Sequence, residues 1–168
     1  MRTLAVDLGS RRVGLAVSDE GGKFATPYDV LTVGSSDDAL APIAELIARE
    51  GVDRVIVGLP LNMDDTAGPA ATAAMQWGQK LQDRCGISVT FVDERLSSFE
   101  AEHRLSERKR AGEKITRGQK KRMLDAHAAA TILQEFLDGK LPAIAATDPQ
   151  GKQISKKEDD RGSRRSHG

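Results

Sequence analysis

The sequence predicts an α/β chain built on one mixed β-sheet. Two observations carry this. Three strand-like runs open the chain, joined by short polar turns; after them, segments of helical periodicity alternate with short apolar runs. The length of 168 residues suits one domain with a core of ordinary size.

The first strand is predicted at Thr3 to Leu8 and the second at Val13 to Ser18, joined by the hairpin-like turn Gly9-Ser10-Arg11-Arg12. Gly21-Gly22-Lys23 offers the next turn, and a third strand follows around Tyr28 to Val33. An antiparallel meander is the economical arrangement. Ser36-Asp37-Asp38 then supplies N-cap candidates for a helix striped by Leu40, Ile43, Leu46 and Ile47, with Gly51 as its stop. Arg54-Val55-Ile56-Val57-Gly58 is a short apolar strand. Pro69 suits a helix N1 position, and that helix runs through Met75, Trp77 and Leu81 to Cys85, with Gly86 ending it. Ile87 to Val92 is the next strand. Strands separated by helices imply parallel pairing through crossovers.

Ser97-Ser98-Phe99-Glu100 matches a capping box, so a further helix is expected near Ser98. The basic segment holding Gly112 and Gly118 reads as a flexible hairpin. A long helix spans about Gln119 to Leu137, closed by Gly139; its Ala126, Ala128, Ala129 and Ala130 permit close approach to a sheet. Thr147 to Gly168 carries almost no large apolar residue beyond Ile154. The expected division is a folded domain over 1–140 and a disordered polar tail over 141–168. The expected order is βββ-α-β-α-β-α(α): a five-stranded mixed sheet with helices on both faces.

No apolar stretch approaches the roughly 20 residues of a membrane span. Met1-Arg2-Thr3-Leu4 leads directly into a strand pattern, so no signal peptide is expected. The single cysteine, Cys85, reads as a small core residue at a helix end in a reducing compartment. Formal net charge is zero, but residues 104–122 hold nine Lys and Arg against Glu107 and Glu113, a balance of +7 that leaves −7 for the remainder. Such polarity suits a polyanion on the basic stretch and a cation among the acids. A solvated Lys/Arg-rich hairpin gives the same pattern.

Three acids stand in apolar surroundings. Asp7 follows Leu4-Ala5-Val6, Glu94 follows Val89-Thr90-Phe91-Val92, and Asp125 lies in helical line with Ala129, Ile132 and Phe136. Acids are rarely buried unless paired, hydrogen-bonded or bound to a cation. Three of them converging from separate elements would suit a divalent metal, and such a site suits phosphodiester chemistry.

Four motifs surround these acids. Ala5-Val6-Asp7-Leu8-Gly9 followed by Arg11-Arg12-Val13-Gly14 places an acid beside a glycine turn; taken alone, it reads more readily as a hairpin with a turn-stabilising Asp. The loop from Gly58 to Pro69 lies at the carboxyl end of a parallel strand, where open sheets bind ligands, so Asn62 and Thr66 are candidates for phosphate or sugar contact. An ordinary strand–helix loop fits as well. In Asp93-Glu94-Arg95-Leu96-Ser97, alternation sends Asp93 and Glu94 to opposite faces, and Arg95 can pair with an acid or a phosphate. The fourth runs from Lys120-Lys121-Arg122 through Asp125 to Phe136; an Asp near a helix N-terminus is also favoured by the dipole alone. His127 points away from Asp125, and His103 and His167 lack metal-type spacing.

In this order the four motifs resemble the YqgF family, whose members are described as Holliday-junction resolvases and as pre-16S rRNA nucleases. The resemblance covers about Thr3 to Leu137 and not the tail. It rests most on Asp93-Glu94-Arg95-Leu96-Ser97 and on Asp125-x-x-Ala128-Ala129-x-x-Ile132-Leu133-Gln134. It implies a ribonuclease H-like fold and a nuclease whose catalytic acids and metal ligands are Asp7, Glu94 and Asp125, with one or two Mg²⁺ or Mn²⁺ ions. Arg11, Arg12, Asn62, Thr66, Arg95, Lys120, Lys121 and Arg122 are the expected contacts to a nucleic-acid backbone. Asp93, Asp64 and Asp19 are candidates for a fourth acid.

The implied task is processing of the 5′ end of pre-16S rRNA, in the cytoplasm, on structured RNA or ribosomal precursor particles, by a monomer or homodimer. The alternatives are a resolvase of branched DNA, which favours a homodimer, and a non-catalytic RNA-binding assembly factor. An ATP-binding actin-like module shares the Asp-x-Gly motif but needs a second domain and a second glycine-rich loop. One departure stands out. Similar proteins carry Asp-Gly where this chain has Asp64-Asp65, which restricts the backbone and adds negative charge beside the phosphate path.

Overall fold

The structure is a computed structural model describing residues 1–97 and 117–144, with side chains from 124 onward in the second stretch. The helix expected near Ser98 and most of the basic hairpin lie outside the described residues, as does the tail from 145.

Strands β1 (Thr3–Leu8), β2 (Arg12–Ser18) and β3 (Ala25–Thr32) form the meander. A 3₁₀ turn over Ser36–Ala39 leads into α1 (Leu40–Glu50). Then come β4 (Arg54–Leu59), α2 (Pro69–Cys85), β5 (Ser88–Asp93), a second 3₁₀ turn over Glu94–Leu96, α3 (Arg117–Leu137) and β6 (Ala143–Ile144). Sheet order is β3-β2-β1-β4-β5-β6. β1 pairs antiparallel with β2 and parallel with β4, so the sheet is mixed as predicted.

Three details correct the sequence reading. The sheet has six strands, because β6 adds an antiparallel edge to β5. β3 begins at Ala25 and ends at Thr32, earlier than the expected Tyr28 to Val33. The predicted cap residues Ser36 to Asp38 lie in the 3₁₀ turn, which is itself capped by Ser35, whose N–H donates to the Asp38 carboxylate; the residue at the start of α1 is Ala39, which offers no side-chain cap. The Trp77 indole N–H donates to the Ser36 carbonyl at 2.8 Å and pins that turn to α2. All three predicted glycine stops stand at left-handed backbone, Gly51 at φ 62°, Gly86 at φ 64° and Gly139 at φ 77°.

The core has two halves, one on each face. On one, Leu4, Val6, Val13, Leu15, Val55 and Val57 pack against Ile43 and Leu46 of α1 and Trp77 and Leu81 of α2. On the other, Ala5, Ala16, Ile56 and Val92 receive Ala129, Ile132 and Leu133 of α3. The second face is floored largely by small residues on β1 and β2, so α3 lies close to the sheet. Burying a Leu or Ile side chain there contributes roughly 1.5–3 kcal/mol. Gln134 fastens α3 to the start of β3: its carbonyl accepts from the Ala25 N–H and its amide donates to the Lys23 carbonyl, both at 2.9 Å.

Candidate active site

Alternation and register decide where the acids point. Ala5 faces α3, so Asp7, two residues on, projects from that face as well. Asp7 pairs with Gly14 of β2, and residues directly opposite in an antiparallel ladder share a face. One step beyond the parallel pair Val6–Val57, Asp7 also stands beside Gly58 of β4. Gly14, Asp7 and Gly58 thus form a row across three adjacent strands, each roughly 4.8 Å from the next.

The two glycines are floors for the other two acids. A Cβ placed on Gly14 would lie 2.2 Å from the Asp125 carbonyl oxygen, so the α3 backbone at Asp125 rests directly on β2. A Cβ on Gly58 would meet a Glu94 carboxylate oxygen at 3.1 Å and the Ile132 side chain at 3.5 Å. Glu94 therefore lies over β4 on the α3 face, and Asp125 over β2, with Asp7 on the strand between. The three predicted acids, remote in sequence, are brought to one face and one row. All three are partly buried.

Asp125 is turned toward Arg12, whose Nε lies 3.3 Å from Oδ2. That oxygen is buried and has no hydrogen-bond partner. Carboxylate oxygens on a shared, partly dry face are the donor type that Mg²⁺ and Mn²⁺ prefer, and the row and the unsatisfied Asp125 oxygen fit such an ion in kind. The fit stops short of a formed cage. Among the described residues no three His, Cys, Asp or Glu side chains are gathered closely enough to hold a metal. The acids share one face, and Asp125 is ion-paired with Arg12 there.

The other predicted residues sort by place. Arg11 and Arg12 stand at the β1–β2 turn, where the Gly9 N–H donates to the Arg12 carbonyl at 3.0 Å; Arg11 is exposed. Asn62 and Thr66 close the β4–α2 loop on itself. The Asn62 N–H donates to the Thr66 carbonyl at 2.9 Å, and its side-chain amide to the Thr66 hydroxyl at 3.0 Å. Arg95 spans that loop and β5: its Nε and Nη2 hold the buried Asp93, Nη2 also meets Asp65 at 2.7 Å, and Nη1 donates to the Asn62 carbonyl. The Asp93 carboxyl is held below the ordinary value of 3.8, chiefly by the Arg95 guanidinium. Lys120, Lys121 and Arg122 fall in the first turns of α3, at the end nearest Asp125. His127 is exposed, as expected.

The three fourth-acid candidates have local partners. Asp93 holds Arg95. Asp64 accepts from the Thr66 hydroxyl and N–H, and the hydroxyl is the main cause of its lowered pKa. Asp19 accepts the Lys23 and Phe24 N–H groups just beyond the end of β2 remote from Gly14.

Sequence reasoning missed the role of Gly14 and Gly58. The available signal was a glycine inside each of two otherwise apolar strands, which marks close approach by another element. It also missed Gln134 as a fastener. Asp65, noted as a departure, sits at φ 67°, the left-handed region that glycine occupies without strain.

Comparison with known proteins adds the following. The family model described as RuvX, Holliday junction resolvase, matches residues 1–139. A protein of Anaeromyxobacter dehalogenans strain 2CP-1 named "Putative pre-16S rRNA nuclease" is 46% identical over 142 residues, covering 84% of this chain and all of its own. A protein of the same name from Streptococcus equi subsp. equi is 38% identical over 140 residues, covering 82% and 98%. Among solved structures, Thermus thermophilus RuvC in complex with Holliday junction substrate matches with TM-score 0.53 at 16% identity, over 86% of this chain and 99% of that one. That likeness concerns the fold, which is ribonuclease H-like.

Proposed function

This chain belongs to the RuvX family of Holliday junction resolvases, and we propose that it is a metal-dependent nuclease that processes the 5′ end of pre-16S rRNA. The observation that carries the proposal is the row Gly14–Asp7–Gly58, which brings Asp125 and Glu94 to either side of Asp7 on one face. The names of the relatives support RNA as substrate.

In this reading Asp7, Glu94 and Asp125 hold one or two Mg²⁺ or Mn²⁺ ions. When bound, such an ion supplies Lewis acidity toward a phosphate oxygen. Arg12 holds Asp125 oriented and exchanges that contact for a backbone phosphate. Arg11, on the exposed side of the same turn, and Lys120, Lys121 and Arg122 at the start of α3 draw in the nucleic-acid backbone. Such contacts position a substrate without reading its sequence. Asn62 and Thr66 offer side-chain amide and hydroxyl groups at the carboxyl end of β4. The proposed task, processing of rRNA, is a cytoplasmic one. Among the described residues no helix is long and apolar enough to cross a membrane.

The test is Asp7→Asn, assayed with Mg²⁺ on structured RNA and on a four-way DNA junction in parallel. The expected result is RNA cleavage reduced by at least about 10²-fold. Undiminished cleavage by pure variant sinks the acid assignment. Cleavage of the junction alone favours the resolvase reading, which the family description also supports. Tight RNA binding with no cleavage by the wild type favours an assembly factor.

A further inference from the structure

Arg95 carries two carboxylates, and they differ in kind. Asp93 is buried, with its side chain 10% exposed, and takes Nε and Nη2 together. Asp65 is 85% exposed and takes only Nη2, at 2.7 Å. The trio bears one net negative charge. A guanidinium edge that faces water while its other edge is fixed by a carboxylate is the geometry that accepts a phosphate oxygen. Here the Asp65 oxygen already occupies it.

Building on the nucleic-acid reading above, we propose that Asp65 sets substrate affinity: it is an internal anion on the outer edge of Arg95 that a backbone phosphate must displace.

The alternative role is that of a clasp holding the β4–α2 loop. The loop does not depend on the Asp65 carboxylate for its closure. It is closed by Asn62 N–H to the Thr66 carbonyl at 2.9 Å, Asp65 N–H to the Asn62 carbonyl at 3.0 Å, and Thr66 N–H to the Asp64 carboxylate at 3.1 Å. Arg95 keeps its place through Asp93 and the Asn62 carbonyl. An ion pair with one partner this exposed is weak and salt-screened, so a phosphate can exchange for it. The backbone points the same way. Asp65 is the one non-glycine with positive φ among the described residues; a residue there gives up some loop stability, and its carboxylate is what it adds.

The experiment measures binding of a labelled RNA hairpin to the full chain in EDTA across a salt series, for wild type, Asp65→Gly and Asp65→Asn. Asp65→Gly relieves the backbone and removes the anion; Asp65→Asn removes the charge at nearly constant shape. Both variants are expected to bind roughly threefold to tenfold tighter, with a log-affinity slope against log salt steeper by about 0.7–0.9, the signature of one added phosphate contact. Unchanged or weaker binding with an unchanged slope overturns the proposal and makes Asp65 a clasp. Asp64→Asn removes the same charge one residue away and leaves every hydrogen bond of Arg95 in place; an equal gain there makes the effect one of local charge and not of the Asp65 contact, and likewise overturns it. A wild type and variants that bind neither RNA nor DNA at low salt overturn the nucleic-acid reading itself.

Discussion

Replacing Gly14 with alanine probes the contact on which the site depends. The added Cβ would lie 2.2 Å from the Asp125 carbonyl oxygen and 2.7 Å from its carbon, where real Cβ atoms essentially never approach under 3.0 Å. The obstacle is helix backbone, so no rotamer change relieves it. α3 has to retreat from β2 by roughly 1 Å at Asp125, and a displacement of that size at a reacting group costs about 10²-fold in rate. Overpacking of this kind also destabilises by about 1–3 kcal/mol. Against an m-value of about 2 kcal/mol/M, the urea midpoint falls by about 1 M.

The assay pairs urea unfolding followed by circular dichroism with metal-dependent cleavage of structured RNA. Gly51→Ala serves as the contrast. Gly51 has φ 62° and nothing within 4 Å of an added Cβ, so that variant loses about 1 kcal/mol to backbone strain alone and keeps its activity. A Gly14→Ala protein as stable and as active as wild type would refute both the close contact of α3 and the placement of Asp125 that follows from it.

Neutralising Lys120, Lys121 and Arg122 together should flatten the log-affinity slope against log salt by about 2–3 on nucleic acid; an unchanged slope excludes phosphate contact at the start of α3. Arg12→Gln should lower stability by less than about 1 kcal/mol, since both it and Asp125 are about one-third exposed, while weakening nucleic-acid binding in filter or anisotropy assays. Asp93 has a folded pKa depressed below 3.8, first by Arg95, so its contribution is fully present above the unfolded value and is lost as pH falls through the folded one. The stability gap between wild type and Asp93→Asn should therefore be constant near neutrality and close below about pH 4, as read by urea titration at several pH values. Trp77→Phe removes the N–H that satisfies the Ser36 carbonyl and should cost about 1–3 kcal/mol in urea unfolding.

Strands β1, β2, β4 and β5 and the three glycine helix stops were legible because local chemistry decides them. β1 spans Thr3–Leu8 as the apolar run predicts, and α2 begins at Pro69 and ends before Gly86. Boundaries slipped where tertiary contacts intervene. The turn before α1 is drawn tighter by the Trp77 bond to Ser36. β6 is two residues long, too short for any periodicity, and exists because β5 offers an open edge. Of the site, the identities of Asp7, Glu94 and Asp125 were readable as acids in apolar surroundings. The partners of Arg95 were not, since Asp65 and the Asn62 carbonyl reach it from a loop some thirty residues away.

By itself, then, the sequence determined the α/β class and the order of elements from β1 to β5, and it singled out three acids in apolar surroundings, because hydrophobic period and turn chemistry act over a few residues. Only the tertiary structure decided that those acids share one face. That outcome depends on strand register, which sets Asp7 between Gly14 and Gly58, and on the absence of side chains at both glycines, which lets Asp125 and Glu94 come down on either side. It likewise decided that Arg12 stands against Asp125 and that Asp65 covers Arg95: both pairings cross between elements, and long-range charge pairing leaves no local pattern to read.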